Sequence, residues 1–151
     1  MIKYTEVTCE ELFTKYDLSR VLEAYKNCGT GTPEEHTQTC KVLSQADYWK
    51  LYQPYADNFA CMIVTKDDEV IGGVILELSQ QMHFGYKIAY LNSLYMLPEH
   101  RNDTLFFRKV FKLAKKHGCK GIYLLAPAGS ELEQELNKYY IKTNSMFYKE
   151  L

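Results

Sequence analysis

The sequence has little of what marks a membrane, secreted or disulfide-bonded protein. No apolar run approaches the roughly 20 residues that a membrane-spanning helix needs. The first residues, Met1 to Glu6, lack the pattern of a signal peptide. The five cysteines are odd in number and scattered, which favours free thiols in a reducing compartment over a disulfide framework. We therefore expect a cytoplasmic protein with no membrane partner.

Several binding and catalytic signatures are missing as well. There is no P-loop, no Gly-x-Ser-x-Gly nucleophile elbow and no Cys-x-x-Cys pair. Cys28, His36 and Cys40 lie near one another in sequence, but not at the spacing of a zinc module, so we predict no metal site. The net charge of −1 does not favour a nucleic-acid partner, and the lysine-rich segment Arg108 to Lys120 is typical of a solvated helix face.

The composition that remains is that of a globular protein with an amphipathic surface. Of the 151 residues, 46% are hydrophobic and 25% are charged, which is enough apolar material for one domain with its own core. The thirteen tyrosines are many for this length. Because tyrosine has an apolar ring and a polar hydroxyl, their number indicates a partly wet cleft or a homodimer interface.

The first half of the chain predicts one strand followed by helices. Ile2 to Val7 alternates apolar and polar residues, and Thr8 with Glu11 forms a capping box that opens a helix. A second helical stripe runs through Leu18, Val21, Leu22 and Tyr25. The polar residues 29–42 could be a loop or could start a short helix. Ser44 then opens a helix whose Tyr48, Trp49, Leu51 and Tyr52 either pack in the core, which we favour, or close over a site.

The second half predicts a sheet interrupted by one crossover helix. Gly72-Gly73, inside a strand, indicates a bulge or a close backbone approach. Ser130 begins a last helix. The predicted strands are Phe59 to Lys66, Val70 to Leu78, Tyr86 to Met96, Gly121 to Ala126, Tyr139 to Lys142 and Ser145 to Lys149, and the crossover helix is Thr104 to His117.

The polar segment Leu97 to Thr104, which we call the elbow, joins the longest strand to the crossover helix. A helix N-terminus has unpaired N–H donors and partial positive charge, so it is a natural place for a phosphate group. We therefore expect any small-molecule site to lie at the elbow.

The order of elements and the residues around the elbow resemble the GNAT (GCN5-related N-acetyltransferase) superfamily. Leu94 to Arg101 is similar to the approach to the family's Q/R-x-x-G-x-G/A loop, and Asn102 to Phe106 occupies the loop itself. Ala126 to Leu132 and the ending Met146 to Leu151 resemble a bacteriophage subgroup with a degenerate acyl-CoA loop. The resemblance covers roughly Phe59 to Leu151, while the first fifty residues match in element order.

The resemblance implies a fold and a cosubstrate. The fold would be a mixed α/β (α+β) GNAT-like domain over residues 1–151, with a mostly antiparallel sheet of six to seven strands, a splayed parallel pair and helices on both faces. The cosubstrate would be acetyl-CoA, whose pantetheine arm would pair with the backbone of the strand and whose pyrophosphate would lie at the loop. The implied cofactor-binding residues are Tyr95, Met96, Leu97, Arg101, Asn102, Asp103, Thr104, Leu105 and Phe106.

Thr104 and Phe106 stand where the family usually has glycine, and the Phe106 side chain could fill the space of a phosphate. Asn102 or Asp103 would cap the helix, and the carboxylate of Asp103 would compete with phosphate for the same N–H groups. Arg101, Arg108 and Lys109 could hold phosphates by charge.

The catalytic residues that the resemblance implies are Ser93 and Tyr139. Amine acetylation needs a base for the ammonium proton and an acid for the leaving thiolate. The usual carboxylate position on the strand holds Asn92 and Ser93, of which either could orient a water, and the usual tyrosine position holds Glu135, so Tyr139 or Ser130 would substitute. Glu77 and His83 are alternative bases, with a turn residue as the simpler interpretation of His83.

Two functions from different classes follow from these residues. The first is an acyl-CoA-dependent N-acetyltransferase that acts by direct transfer on a small-molecule or protein amine. The alternative is a catalytically silent GNAT-fold binding or virion-associated bacteriophage protein. The expected location is the cytoplasm of a bacterial host, or the virion.

Overall fold

The computed structural model describes residues 1–28, 42–101, 103–126 and 129–139. In chain order the elements are β1 (Ile2–Val7), α1 (Cys9–Thr14), α2 (Ser19–Cys28), α3 (Gln45–Tyr52), β2 (Phe59–Lys66), β3 (Glu69–Gln81), β4 (Tyr86–Met96), α4 (Leu105–Lys116), β5 (Gly121–Tyr123) and α5 (Glu131–Tyr139). Short 3₁₀ turns at Gln53–Asn58 and Pro98–His100 precede β2 and follow β4. Across the described ranges, every helix is too short or too polar to span a bilayer.

The five strands form one sheet in the order β1-β2-β3-β4-β5. The first three pairings are antiparallel, and β4 pairs with β5 in parallel. The β2–β3 hairpin turns at Asp67 and Asp68, whose positive φ angles of 52° and 67° are those of a two-residue turn that matches the twist of the strands. This arrangement confirms the mixed α/β class, the hairpin and the parallel crossover.

Helices cover both faces of the sheet and enclose two cores. The first core lies between the sheet and α4, where Phe106, Val110 and Leu113 pack against strand residues such as Met62 and Leu76. The second core lies on the opposite face, where Leu12, Phe13 and Leu18 pack against Cys61, Ile63 and Ile75. Alternate residues of β2 enter alternate cores, as the two-residue period of a strand requires.

Local signals begin the helices where the sequence predicts. Thr8 Oγ1 accepts the N–H of Glu11 and the Glu11 carboxylate accepts the N–H of Thr8, so the capping box is confirmed. Ser44 caps α3 through Asp47, and Ser130 caps α5 through Glu133.

The aromatic residues of α3 pack mainly as core. Trp49 and Tyr52 stack on Phe13, with ring centroids 6.2 Å and 5.2 Å apart. Leu51 does not join them, since it is 61% exposed.

Several predicted bounds were wrong. β3 runs from Glu69 to Gln81 rather than from Val70 to Leu78, because it stays paired with β4 as far as Tyr86, the first residue of β4. β5 stops at Tyr123 instead of Ala126, because its pairing with β4 ends at Tyr90. The crossover helix is Leu105–Lys116. Five strands are present in the described ranges, fewer than the six to seven predicted. The predicted closing hairpin was wrong at Tyr139, which ends α5, and its other residues, like His36 and Cys40, lie outside the described ranges.

Ion pairs connect elements that are far apart in sequence. The guanidinium of Arg20, at the start of α2, contacts Glu69 at 2.6 Å and Glu99 at 2.9 Å. It therefore joins the β2–β3 turn to the elbow. At the other end of α4, Lys116 and His117 contact the Glu6 carboxylate of β1 at 2.5 Å and 2.9 Å.

Candidate active site

One edge of β4 is open over half of its length. Ile88, Ala89 and Tyr90 pair with β5, and beyond Tyr90 no described strand pairs with this edge. Tyr90 and Tyr123 stack at the point of divergence, with ring centroids 5.1 Å apart and planes at 12°. The two parallel strands thus splay apart, which leaves backbone N–H and C=O groups of β4 facing a gap.

The open edge carries a β-bulge. Ile75 of β3 lies opposite Ser93 and the next residue, Leu76, lies opposite Leu91, so Asn92 is one residue in excess on β4. A bulge leaves its extra residue outside the ladder and turns local backbone groups away from their partner strand. The bulge therefore interrupts the β3–β4 ladder beside the open edge of β4.

A tyrosine from α3 fixes the side chain at the bulge. The Tyr52 hydroxyl donates a hydrogen bond to Asn92 Oδ1. Burial raises the pKa of the Tyr52 phenol, so it stays protonated and remains a donor at neutral pH. This contact between α3 and β4 holds the Asn92 amide at the rim of the gap.

The elbow continues directly from the open edge. The N–H of Leu97 still pairs with the carbonyl of Ile71 at 2.8 Å, and the 3₁₀ turn Pro98–His100 then redirects the chain into α4. Arg101 folds back on β4, where its Nε donates to the Met96 carbonyl at 3.1 Å and its guanidinium lies 5.6 Å from the centre of the Tyr95 ring. Arg101 therefore connects two of the predicted cofactor-binding residues and is itself exposed.

Asp103 lies against the N-terminus of α4. Its Oδ1 accepts the N–H of Leu105 at 2.9 Å, and the Tyr4 hydroxyl donates to its other carboxylate oxygen. The Lys109 ammonium lies 5.7 Å from the centre of the Tyr4 ring. The predicted helix-capping role of Asp103 is confirmed, and the carboxylate occupies one donor that a phosphate would use.

Phe106 does not obstruct the elbow. Its side chain is 4% exposed and packs in the first core beneath α4. The expectation that its ring fills the space of a phosphate is therefore wrong, because the helix directs this position towards the sheet. Thr104 and Leu105 are exposed at the helix start, and Asn102 lies outside the described residues.

The candidate acid and base residues lie further apart than the residues of the elbow. Ser93 lies on the same face of the sheet as Ile75, opposite α4. Glu77 lies opposite Tyr90 and belongs to that same face, diagonal to Ser93 across the bulge. His83 is exposed in the β3–β4 turn beside Phe84, as the simpler interpretation predicted.

The helix α5 supplies the other two candidates. The Ser130 hydroxyl is used as a helix cap, which gives it a structural role. Tyr139, the proposed acid, is the last residue of α5.

The open edge, the bulge and the elbow all lie in the segment that matches a known protein family. A family model described as the acetyltransferase (GNAT) family matches residues 18–136. The chain belongs to the GNAT acetyltransferase family. The GNAT fold generally binds acetyl-CoA.

Solved GNAT structures share the fold at low sequence identity. An aminoglycoside acetyltransferase from an uncultured soil metagenomic sample is 16% identical, with a TM-score of 0.69 over 100% of this chain and 98% of that one. A second aminoglycoside acetyltransferase from such a sample, in complex with sisomicin, is 11% identical, with a TM-score of 0.72 over 99% and 96%. Glucosamine-6-phosphate N-acetyltransferase from Arabidopsis thaliana is 12% identical, with a TM-score of 0.63 over 97% and 98%. No curated protein matches the sequence.

Sequence reasoning missed the residues that reach the site from the first half of the chain. Tyr4 meets Asp103 across 99 positions, and Tyr52 meets Asn92 across 40. Alternation placed Tyr4 on one face of β1, but nothing local indicates which helix end that face meets. The excess of tyrosine was the available signal, and it indicated a cleft without locating it.

Proposed function

We propose that this GNAT protein transfers an acetyl group from acetyl-CoA directly to a primary amine, on a small molecule or a protein. The observation that carries the proposal is the open edge of β4, which has a bulge at Asn92 and ends at the N-terminus of α4. An extended pantetheine arm would pair with this edge as an added strand. The N-terminus of α4 would face the phosphates.

The residues of the edge and the elbow divide into two binding regions. Tyr95, Met96 and Leu97 would pair with the pantetheine arm through their backbone. Arg101 to Phe106 would hold the pyrophosphate through helix N–H groups, with Arg108 and Lys109 exposed on the first turns of α4 to add positive charge. One N–H of the helix start is already occupied, because Asp103 accepts the Leu105 N–H.

The acetyl thioester supplies an activated carbonyl, and the chain would supply donors and proton transfer. N–H groups at the bulge would donate hydrogen bonds to the carbonyl oxygen as negative charge develops on it. Glu77 is the one carboxylate between Val70 and Met96, so it is our choice of base, acting through a water that Ser93 orients. Tyr139 remains the proposed acid for the thiolate. Since the bulge holds Asn92 and Ser93 and no thiol, transfer would be direct.

The alternative is a GNAT-fold protein that binds a partner and performs no chemistry, in the host cytoplasm or in a virion. The carboxylate of Asp103 at the start of α4 favours it, because it places negative charge where a pyrophosphate would bind. The bacteriophage origin and this alternative both rest on the sequence resemblance, and acetyl-CoA titration separates the silent module from the enzyme.

Calorimetric titration with acetyl-CoA tests the proposal. We expect micromolar binding that Arg101→Ala weakens about tenfold, through the loss of one charged contact. The control Lys50→Ala removes an exposed cation of α3, on the other side of the molecule from the elbow, and should bind as the wild type does. Absence of binding in the wild type would contradict the enzyme and support the silent module.

A further inference from the structure

A pocket of about 120 Å³ opens on the face of the sheet opposite α4. Helices α1, α2 and α3 wall it, and β3 and β4 form its floor, with Gly72 and Gly73 among the lining residues. Tyr25 and Tyr95 meet edge to face on one side at 4.9 Å, and Tyr52 contacts Phe13 on the other at 5.2 Å. The pocket is therefore bounded by rings on two sides.

The lining contains no charged side chain among the residues that the structure describes. It consists of aliphatic, aromatic and glycine residues, with tyrosine hydroxyls and the Ser93 hydroxyl as the polar groups. A cation that enters such a lining loses its hydration and gains no carboxylate in return, which is costly. An apolar group gains by the same transfer, about 2 to 3 kcal/mol for one fully buried aromatic ring.

The volume limits what can enter. A cavity of roughly 150 Å³ lined by apolar side chains is large enough to hold benzene. A pocket of about 120 Å³ that is open at one side thus accepts one ring or a short branched chain, and not a sugar of several rings. This size matches a single substituent of a small amine.

The pocket is continuous with the reaction site proposed above. Ser93 and Tyr95 of β4 line it, and Tyr52, which lines it from α3, also binds Asn92 at the bulge. A group seated in the pocket would hold an amine, one or two bonds away, beside the open edge of β4. The acceptor then approaches from the face opposite α4, while the cosubstrate lies along the edge.

We propose that the acceptor is a primary amine carried on one apolar or aromatic group that fills this pocket, and not a polycationic sugar. The inference rests on the proposed acetyl transfer. The amine nitrogen bonds to the acetyl carbon as the C–S bond breaks, the ammonium proton leaves to the base, and the thiolate of CoA takes up a proton. The products are an apolar amide and free CoA.

Three amines separate the possibilities: phenethylamine, ethylamine and sisomicin. Each is titrated calorimetrically into the protein alone, and CoA release is then followed with a thiol reagent in the presence of acetyl-CoA. We expect phenethylamine to bind the free protein, and its kcat/KM to exceed that of ethylamine by 10-fold to about 100-fold, the value of burying one ring. Sisomicin should be the poorest acceptor of the three.

A pair of matched variants assigns the preference to the pocket. Leu22→Phe adds volume to a lining residue of α2 and should reduce the preference for phenethylamine over ethylamine to less than about threefold. Leu51→Phe makes the same change at an exposed position of α3 outside the lining and should keep the full preference.

The outcomes distinguish this inference from the proposed function. Acetyl-CoA binding with sisomicin as the better acceptor, or with a preference that Leu22→Phe leaves intact, overturns the inference and leaves acetyl transfer standing. Failure of acetyl-CoA to bind overturns the acetyl transfer and, with it, the role of the pocket as an acceptor site. Failure of phenethylamine to bind the free protein overturns the apolar pocket, whatever acetyl-CoA does.

Discussion

Asp103 stabilises the start of α4 and would at the same time oppose the binding of a phosphate there. As a helix cap it satisfies the N–H of Leu105, and as a carboxylate it complements the positive end of α4. Both effects stabilise the free protein, and both act against a second anion at the same donors. Tyr4 holds the carboxylate in place from β1. If the proposed acetyl-CoA site is correct, Asp103 would lower the affinity of the elbow for a phosphate.

Asp103→Asn should tighten acetyl-CoA binding about fivefold. The amide oxygen can still accept the Leu105 N–H, while the repulsion between a carboxylate and a pyrophosphate, about 1 kcal/mol near a solvated surface, disappears. Calorimetry of the variant beside Asp57→Asn, an exposed aspartate remote from the elbow, measures the change. Equal or weaker binding by Asp103→Asn would show that the phosphates do not lie at this helix end.

Predictability at the scale of residues depended on sequence separation. The capping box of Thr8 and Glu11 could be predicted because both partners lie within one helical turn. The burial of Phe106 could not be predicted in this way. The loop pattern of the family indicates where the backbone approaches a phosphate, but not the direction in which each side chain points. The packing of α4 on the sheet decides that direction.

The two glycines of β3 allow the strand carrying the site to pack as it does. A Cβ at Gly72 would lie 2.6 Å from the Tyr95 carbonyl and 2.8 Å from Met96 Sδ, and a Cβ at Gly73 would lie 2.9 Å from the Met62 carbonyl. The predicted close backbone approach is confirmed. The close approach of β4 to β3 therefore depends on the absence of a side chain at Gly72, and that of β2 on its absence at Gly73.

Gly72→Ala should displace β4 at Tyr95 and Met96. We expect a loss of about 1 to 3 kcal/mol in the free energy of unfolding, typical of overpacking, together with weaker acetyl-CoA binding. Gly121→Ala is the matched control, because a Cβ there meets nothing within 4 Å. Urea denaturation of both variants gives the stabilities, and an unchanged Gly72→Ala would mean that β4 can shift freely.

Among the elements, β4 and α4 could be predicted because each has a long, regular apolar pattern. The family resemblance implied a splayed parallel pair, but the residue at which β5 stops pairing and the bulge at Asn92 could not be predicted, because both result from pairing between strands. A strand pattern shows which residues face a core, but not where a neighbouring strand departs. The candidate site lies at these two irregularities. The sequence therefore predicted which segment of the chain holds the site, but not how its residues are arranged in space.

At the scale of the molecule, α4 is attached to the edge strand β1 at both of its ends. Tyr4 contacts Asp103 before the helix, and Glu6 contacts Lys116 and His117 at its end. The hydrogen bond from Lys116 chiefly, and that from His117 next, hold the pKa of Glu6 below its ordinary value. A group with a lowered pKa in the folded state contributes stability above its unfolded pKa and loses it as the pH falls.

Glu6→Gln should therefore destabilise the protein at pH 7 by about 0.5 kcal/mol, as expected of an exposed ion pair. The difference should shrink as the pH falls through the folded pKa and vanish once the wild-type carboxyl is protonated in the folded state too. Chemical denaturation across this range measures it, with the α2 variant Glu23→Gln as control. A difference that persisted in acid would assign the effect of the substitution to packing.

The fold class could be predicted from the order of patterns along the chain, since antiparallel strands, one crossover helix and a parallel strand leave few topologies. The attachment of the first half to the site could not. The contacts of Tyr4, Tyr52 and Arg20 with the second half depend on the complete tertiary structure, and no local pattern encodes them.

The open edge of β4 also bears on solubility. An exposed strand edge invites pairing with a strand of another molecule, which is a common route to aggregation. Here the bulge at Asn92 breaks the regular spacing that a second polypeptide strand would need, and Arg101 covers the Met96 carbonyl with a charged group. The same irregularities leave room for a single flexible arm, so the edge stays free for a small ligand while self-association along it is discouraged.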